Sequence, residues 1–467
     1  MPIAVTKIVC TIGPSSSSPD VIRRLMISGM NVARLNFSHG THEAHARTVA
    51  NIRGIAQELG LPIAILGDLQ GPRIRIGVLP EALTLAENDR LVLVPENHAE
   101  PGEVPVTYDQ LAHDVLPGGV ILVDDGLISL RVESIDGHRV HAVVKYGGLL
   151  KSNKGINLPG IDVSAPSLTE KDREDIPFAI EHDLEYLALS FVRRPEDIQE
   201  LRALLPKGML VVAKIEKDSA LHRIEDILKV TDAVMVARGD LGVELPFEEV
   251  PLQQKRIIGL AARYGRPVIT ATQMLESMVQ HPRPTRAEAS DVANAILDGT
   301  DAVMLSAETA AGLHPVLAVE AMRRIANAAE QAPVARGQGI DRVAPGSATV
   351  EETIASASVT AVRMLGAATI VVFTKSGFSA RIVSARRPNV RIVVLTDNAR
   401  TYRQLAMVWG VIPFLVPHCE TYEQMAAMAR ELLRQHGYAR PGDRIVVTAG
   451  VPFDTPGSTN QLKVETV

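Results

Sequence analysis

The sequence predicts an α/β protein: a (β/α)8 barrel, interrupted by an inserted all-β domain and followed by a doubly wound α/β domain. Three observations carry this. Eight short β-branched runs recur through the first 330 residues, most of them followed by helix-like periodicity, and eight is the count that closes such a barrel. About 95 residues after the third run lack any helical period. Beyond about residue 340, helix-like segments alternate again with apolar runs, as in a separate doubly wound sheet.

The barrel runs are Thr6–Ile12, Asn31–Phe37, Pro62–Leu69, Tyr186–Val192, Leu210–Glu216, Ala233–Arg238, Pro267–Gln273 and Ala302–Glu308. The helices between them carry their own punctuation. Ser18 caps an apolar pattern that begins with Pro19 and stops at Gly29, because Ser accepts a free backbone N–H and Gly reverses the chain at little steric cost. Thr41 opens a second helix that ends near Gly60, Thr169 opens a third, and Pro195 and Pro315 start two more.

In the insertion, Leu91–Val94, Val120–Val123, Ile128–Val132 and Val140–Lys145 read as strands, with Asp136-Gly137 as a two-residue hairpin turn. In the C-terminal region, helices Glu351–Leu365, Ala399–Trp409 and Tyr422–Gln435 alternate with strands Thr369–Thr374, Arg391–Thr396, Val411–Val416 and Arg444–Thr448. Ala332–Ser347, rich in Gly, Pro and Ala, reads as the linker. The expected domains are a barrel of residues 1–72 and 164–335, an insertion of 73–163 and a C-terminal domain of 336–467.

Composition limits the function classes. Hydrophobic residues make up 46% and aromatics 3%, a bias toward small aliphatics that suits parallel-sheet interiors. A formal net charge of −6 argues against general affinity for nucleic acid, which needs a basic face. Two cysteines, Cys10 and Cys419, cannot make a disulfide framework and point to a reducing compartment. No secretion-signal pattern or bilayer-length apolar run is present. A soluble cytoplasmic enzyme is expected.

The chemistry collects at strand ends. Arg34, Asn36 and Ser38 share one face of the second run, and Lys214 and Glu216 share one face of the fifth. Inside a barrel such groups would be costly without partners; at its C-terminal mouth they belong to an active site. Asp68, Ser190, Asp240, Thr272, Ser306 and Glu308 also lie at or just beyond strand ends. Glu216 and Asp240 are hard oxygen ligands without zinc-like His or Cys spacing, so Mg2+ or Mn2+ is the expected metal. A divalent cation, Lys214 and Arg34 converging on one spot imply an anionic substrate, a phosphate or a carboxylate.

Five segments then carry a family resemblance. Arg34-Leu35-Asn36-Phe37-Ser38-His39-Gly40, Ala213-Lys214-Ile215-Glu216, Ala237-Arg238-Gly239-Asp240-Leu241-Gly242, Ala271-Thr272-Gln273-Met274 and Met304-Leu305-Ser306-Ala307-Glu308-Thr309 resemble, in order and spacing, the motifs of pyruvate kinases. The resemblance implies a TIM barrel with an all-β lid domain and an effector-binding domain. It also implies transfer of the phosphoryl group of phosphoenolpyruvate to ADP, and a homotetramer. By resemblance, Glu216 and Asp240 hold the metal, Lys214 neutralises the phosphoryl group in flight, and Arg34 and Arg75 contact that group and the nucleotide phosphates. Thr272, with backbone near Gly239 and Asp240, holds the carboxylate, and Ser306 joins the path that protonates the enolate. Asp125 and Lys154 meet the nucleotide's own metal, and His39 touches nucleotide.

One segment departs from the family. Many members bind K+ through residues like Asn36, Ser38, Asp68 and the carbonyl of Leu69, and continue Thr-Lys-Gly-Pro-Glu. This chain continues Leu69-Gln70-Gly71-Pro72-Arg73. A guanidinium near that site disfavours K+ and stands in for it, so K+ is not expected to be required. Thr374-Lys375-Ser376-Gly377-Phe378-Ser379 follows a strand and precedes a helix, a setting in which amides and hydroxyls cradle phosphate. It resembles the family's effector loop, and Gly457-Ser458-Thr459-Asn460 its opposing loop. A sugar monophosphate, a sugar bisphosphate and a nucleotide all remain open as the effector.

Two competing readings are a metal-dependent aldolase or lyase acting on pyruvate enolate and a non-catalytic phosphometabolite sensor. The first does not need Lys214 beside Glu216 together with a lid carrying Asp125 and Lys154; the second gives Lys214, Glu216, Asp240 and Thr272 no reason to coexist.

Overall fold

In a computed structural model, residues 5–332, 348–450 and 459–467 are described. Eight parallel strands close a barrel in the order Lys7–Thr11, Val32–Asn36, Ala64–Asp68, Tyr186–Leu189, Leu210–Ile215, Ala233–Ala237, Val268–Ala271 and Ala302–Leu305, the last pairing back onto the first. All eight expected runs are barrel strands, and the polar residues at their ends fall at or past the last ladder position, except Arg34 and Lys214, which lie within it. Alternation divides each strand between two cores. Val9, Val32, Leu66, Tyr186, Met235 and Ile269 fill the barrel, while their neighbours pack outward against the helices.

The helix ends follow the local chemistry. Ser18 accepts from Val21 N and Gly29 closes helix Pro19–Ser28 at φ 129°. Helix His42–Leu59 ends at left-handed Gly60, and Thr169 forms a reciprocal cap with Asp172 at the start of Glu170–Glu181.

The insertion is mainly β. Its seven-stranded sheet runs Ile74–Arg75, Gly155–Asn157, Val120–Val123, Ile128–Asp136, Arg139–Tyr146, Arg90–Pro95 and Val104–Val106, and Leu83–Leu85 pairs with Gly148–Leu150. The all-β expectation needs correction, because Glu96–His98 forms a 3-10 turn and Leu111–Asp114 a single helical turn with Leu111 buried in the core of the insertion. The hairpin turn also sits one residue later than expected. Asp136 pairs with Arg139, leaving Gly137 (φ 55°) and His138 as the turn.

The C-terminal sheet runs Val411–Leu415, Arg391–Thr396, Thr369–Phe373, Arg444–Ala449 and Gln461–Thr466. Sequence patterning missed the last strand, an antiparallel edge with little burial. Helix Ala399–Gln404 is shorter than expected. Its continuation tightens into a 3-10 turn, Leu405–Met407, which puts Ala406 and Met407 into the barrel's inner core. Tyr186 Oη donates to Gln404 O at 2.7 Å beneath it. Of the expected linker only Ala332 is among the described residues.

Candidate active site

At the C-terminal ends of the barrel strands, charges are buried together. Lys214 Nζ donates to Ser190 Oγ at 2.7 Å and lies 2.9 Å from Glu216 Oε1 and 3.3 Å from Asp68 Oδ1. Ser190 Oγ donates in turn to Leu69 O at 2.7 Å. Arg34 Nε donates to Asp68 Oδ2 at 2.7 Å and its Nη1 to Thr11 Oγ1 at 2.9 Å. Glu216 Oε2 accepts from Phe191 N at 2.7 Å, and Phe191 has a left-handed φ of 54°. Asp68 and Glu216 are each 1% exposed.

Burial opposes every one of these charges; their mutual attraction decides the outcome. Burial is the largest influence on Lys214, yet the carboxylates of Asp68 and Glu216 offset it and hold the ammonium above its ordinary value. Asp68 is pushed up by burial, but Lys214 and Arg34 outweigh this and hold it below the usual range. For Glu216 burial wins, and nearby Asp240 adds to the rise against the pull of Lys214. Asp68 Oδ1 and Glu216 Oε1 make charge contacts without hydrogen-bond geometry and have no hydrogen-bond partner. That is unusual for buried carboxylates.

Asp240 lies in the first turn of helix Arg238–Glu244. Gly239 N donates to Thr272 Oγ1 at 2.8 Å, and Thr272 Oγ1 donates to Ala271 O at 2.7 Å. Thr272 and Gln273 have φ of 68° and 52°. A β-branched residue there is an outlier, costing on the order of 1–3 kcal/mol. Ser306 precedes helix Ala307–Ala310, and its N–H donates to Glu308 Oε2 at 2.7 Å. Glu308 Oε1 accepts from Leu275 N at 3.0 Å, and burial raises its pKa. Glu308 is therefore a strut between the seventh and eighth strand exits.

Facing this mouth across a cleft is the insertion. The cleft is lined by Arg75, Asp124, Asp125, Lys154, Lys217 and Asp240 among others. Arg75 Nη1 donates to Asn153 O at 3.3 Å, and Lys154 Nζ to Asp124 Oδ1 at 2.8 Å. Asp124 and Lys217 were not singled out from the sequence. Asp124-Asp125-Gly126, all left-handed, carried a readable turn signal. Lys217, buried against Glu244 at 2.5 Å, carried none.

The expected monovalent ligands lie near one another but are engaged internally. Asn36 Oδ1 accepts from Ser38 N at 3.2 Å, while Asp68 and Leu69 O take the bonds above. Arg73 is exposed and lines the cleft with Asp125 and Asp240. His39 is exposed at the rim, its carbonyl 2.9 Å from His45 Nε2.

In the C-terminal domain, Thr374 Oγ1 accepts from Gly377 N at 3.0 Å, and Gly377 (φ 74°) opens helix Phe378–Ala385. Lys375 pairs with Asp397 at 3.3 Å, its carbonyl accepts from Thr401 Oγ1 at 2.7 Å, and Ser376 O accepts from Arg381 Nη1 at 3.3 Å. Ser379 Oγ is hydrogen-bonded to Thr459 Oγ1, which brings the two expected loops together. Gly457 and Ser458 lie outside the described residues.

Among the described residues, no group of three or more His, Cys, Asp or Glu is placed to hold a metal alone. Mg2+ typically takes only one or two carboxylates and completes its shell with substrate oxygens and water. The hard oxygens of Glu216 and Asp240, with Glu216 Oε1 buried and lacking a hydrogen bond, fit such an ion.

Comparison with known proteins gives the family. The family model "Pyruvate kinase, barrel domain" matches residues 3–319, and "Pyruvate kinase, alpha/beta domain" matches 352–465. A pyruvate kinase of Geobacillus stearothermophilus is 47% identical over 470 residues, covering 99% of this chain and 80% of that protein. One of Staphylococcus haemolyticus (strain JCSC1435) is 45% identical over the same shares. The chain belongs to the pyruvate kinase family.

Proposed function

We propose that this enzyme transfers the phosphoryl group of phosphoenolpyruvate to ADP, giving pyruvate and ATP. The observation that carries the proposal is the buried Asp68–Lys214–Glu216 cluster, with two carboxylate oxygens lacking hydrogen bonds at the barrel mouth. Phosphoryl transfer asks a protein mainly for positioning and charge neutralisation. Glu216 and Asp240 would hold Mg2+, which would supply positive charge to the anionic substrate. Lys214 and Arg34 neutralise the phosphoryl group as its bond to the enol oxygen breaks and its bond to the ADP oxygen forms. Thr272 and the backbone at Gly239 and Asp240 hold the substrate carboxylate. Ser306 belongs to the polar path that brings a proton to the enolate carbon, completing pyruvate.

Arg75, Asp125 and Lys154 meet the nucleotide from the insertion, which acts as a lid of residues 73–163 over a barrel of 1–72 and 164–335, and His39 meets it from the barrel rim. Lid closure excludes water that would otherwise take the phosphoryl group. Asn36, Ser38, Asp68 and Leu69 make up the monovalent site, and the fixed charge of Arg73, exposed in the neighbouring cleft, lowers the need for K+ there. The domain of residues 336–467 binds a phosphorylated effector at Thr374, Lys375, Ser376, Gly377 and Ser379. The protein works in the cytoplasm as a homotetramer; among the described residues no helix is long and apolar enough to cross a membrane.

The test is pyruvate formation from phosphoenolpyruvate, ADP and Mg2+ in tetramethylammonium buffer. Turnover there that added KCl does not raise supports both the reaction and K+ independence. Strong KCl activation removes the role of Arg73 alone, and no turnover with either salt removes the reaction.

A further inference from the structure

Arg238, the first residue of the helix that carries Asp240, reaches away from the reacting groups to the seventh strand exit. Its Nε donates to Ala271 O at 3.3 Å and its Nη2 to Thr272 O at 2.9 Å. Nη1 is anchored from the other side by Asp291 Oδ1 at 2.7 Å and Gln254 Oε1 at 3.5 Å. One planar fork thus binds two successive carbonyls while a carboxylate fixes its far end, an arrangement that arginine makes and lysine cannot.

The backbone it grips is the one that most needs holding. Thr272 and Gln273 are consecutive left-handed residues without glycine's freedom. Such geometry persists only where surroundings over-determine it, and it clusters at functional sites. The residue after Arg238 completes the grip, since Gly239 N fixes the Thr272 hydroxyl. Without the guanidinium, Thr272 would be free to relax toward extended backbone, taking Oγ1 off Gly239 N.

We propose that Arg238 is a positioning residue: its guanidinium holds Thr272 in left-handed geometry beside Gly239, from where the hydroxyl, which donates to Ala271 O in the absence of substrate, turns its hydrogen to the substrate carboxylate. This rests on the reading that Thr272 binds substrate.

The test is a double-mutant cycle on full-length enzyme, with Arg238→Met, Thr272→Ala and the pair, and Arg238→Lys as the conservative variant. Misplacement of a binding group by about 1 Å costs on the order of a hundredfold. Arg238→Met is therefore expected to lower kcat/KM for phosphoenolpyruvate about a hundredfold and Arg238→Lys about tenfold. The KM for ADP should move less than about threefold, which general loosening of the barrel would not spare. In the Thr272→Ala background, Arg238→Met should cost less than about threefold more, because a group that acts through Thr272 has nothing left to position. Multiplying losses, or an Arg238→Met enzyme within about threefold of the parent, overturn the inference. Should Arg238→Met not fold, the same cycle with Arg238→Lys decides. If Thr272→Ala alone leaves turnover unchanged, the reading of Thr272 falls first, and the inference with it.

Discussion

The two ends of the barrel bury charge in opposite ways. At the floor, Glu185 is fully buried, and both of its oxygens are bonded: to Ile65 N at 2.7 Å, Arg53 Nη2 at 2.9 Å and Arg403 Nε at 2.5 Å. Asp301 there accepts from Val268 N at 2.9 Å and pairs with Arg387 at 3.1 Å. At the mouth, Asp68 and Glu216 are as deeply buried, yet each keeps an oxygen without a hydrogen bond. A closed network stabilises and specifies; an open one holds charges ready for a ligand that completes it. Burial of charge therefore does not by itself mark an active site. Nor does a missing hydrogen bond alone, since Arg387 Nε at the floor also lacks one; at the mouth it coincides with an open cleft.

Three experiments break or sharpen that contrast. Lys214→Met should lower kcat about a thousandfold, close to 4 kcal/mol of lost transition-state stabilisation. With Mg2+ present it should lose less stability than a floor variant, because Arg34 still pairs with Asp68. Stopped assays and denaturant titration read both, and a variant that keeps turnover would mean the mouth cluster is structural like the floor.

Glu185→Ala should cost about 3 kcal/mol of stability, since it removes a buried carboxylate from between two partly exposed guanidinium groups and leaves Ile65 N without its acceptor, with kcat per folded enzyme within about threefold. A large loss of kcat at unchanged stability would erase the distinction between the ends.

The third test uses Lys7, whose Nζ donates to Val411 O at 2.8 Å under the barrel. Burial pushes it down to about 8, with Glu330 opposing weakly. Unfolded chain keeps that proton to a higher pH, so the cost of burying the charge is fully present below about 8 and is relieved as pH rises toward 10.5, the ordinary value for lysine. Across that window the parent should gain at most about 3 kcal/mol relative to Lys7→Met. Chemical denaturation at pH 7 and pH 10 compares them; a constant difference would mean the ammonium is not desolvated.

Much of the site was legible in sequence because its residues sit at the ends of β-branched runs, where alternation and ladder exit fix position. Arg34, Lys214, Glu216 and Thr272 are of this kind. Asp124 and Arg238 were passed over although Asp124 sits beside residues singled out. Their partners, Lys154 for one and Thr272 and Asp291 for the other, are 30 to 53 positions away, and no local period encodes such pairings. Glu308, which sequence places among the polar strand ends, is held internally instead, its carboxylate occupied by the Leu275 and Ser306 amides.

The helix that sequence extended to Trp409 stopped at Gln404 for a similar reason. Its continuation is set by the barrel floor into which Ala406 and Met407 insert. By itself, the sequence determined the eight strands, the interrupted barrel, the helix caps and the identity of the polar strand ends, because these follow from side-chain period and local backbone chemistry. Tertiary structure alone decided which buried charges are satisfied, which carbonyls Arg238 grips and where the lid's charges fall. Those depend on long-range contacts whose energies exist only once the chain has closed on itself.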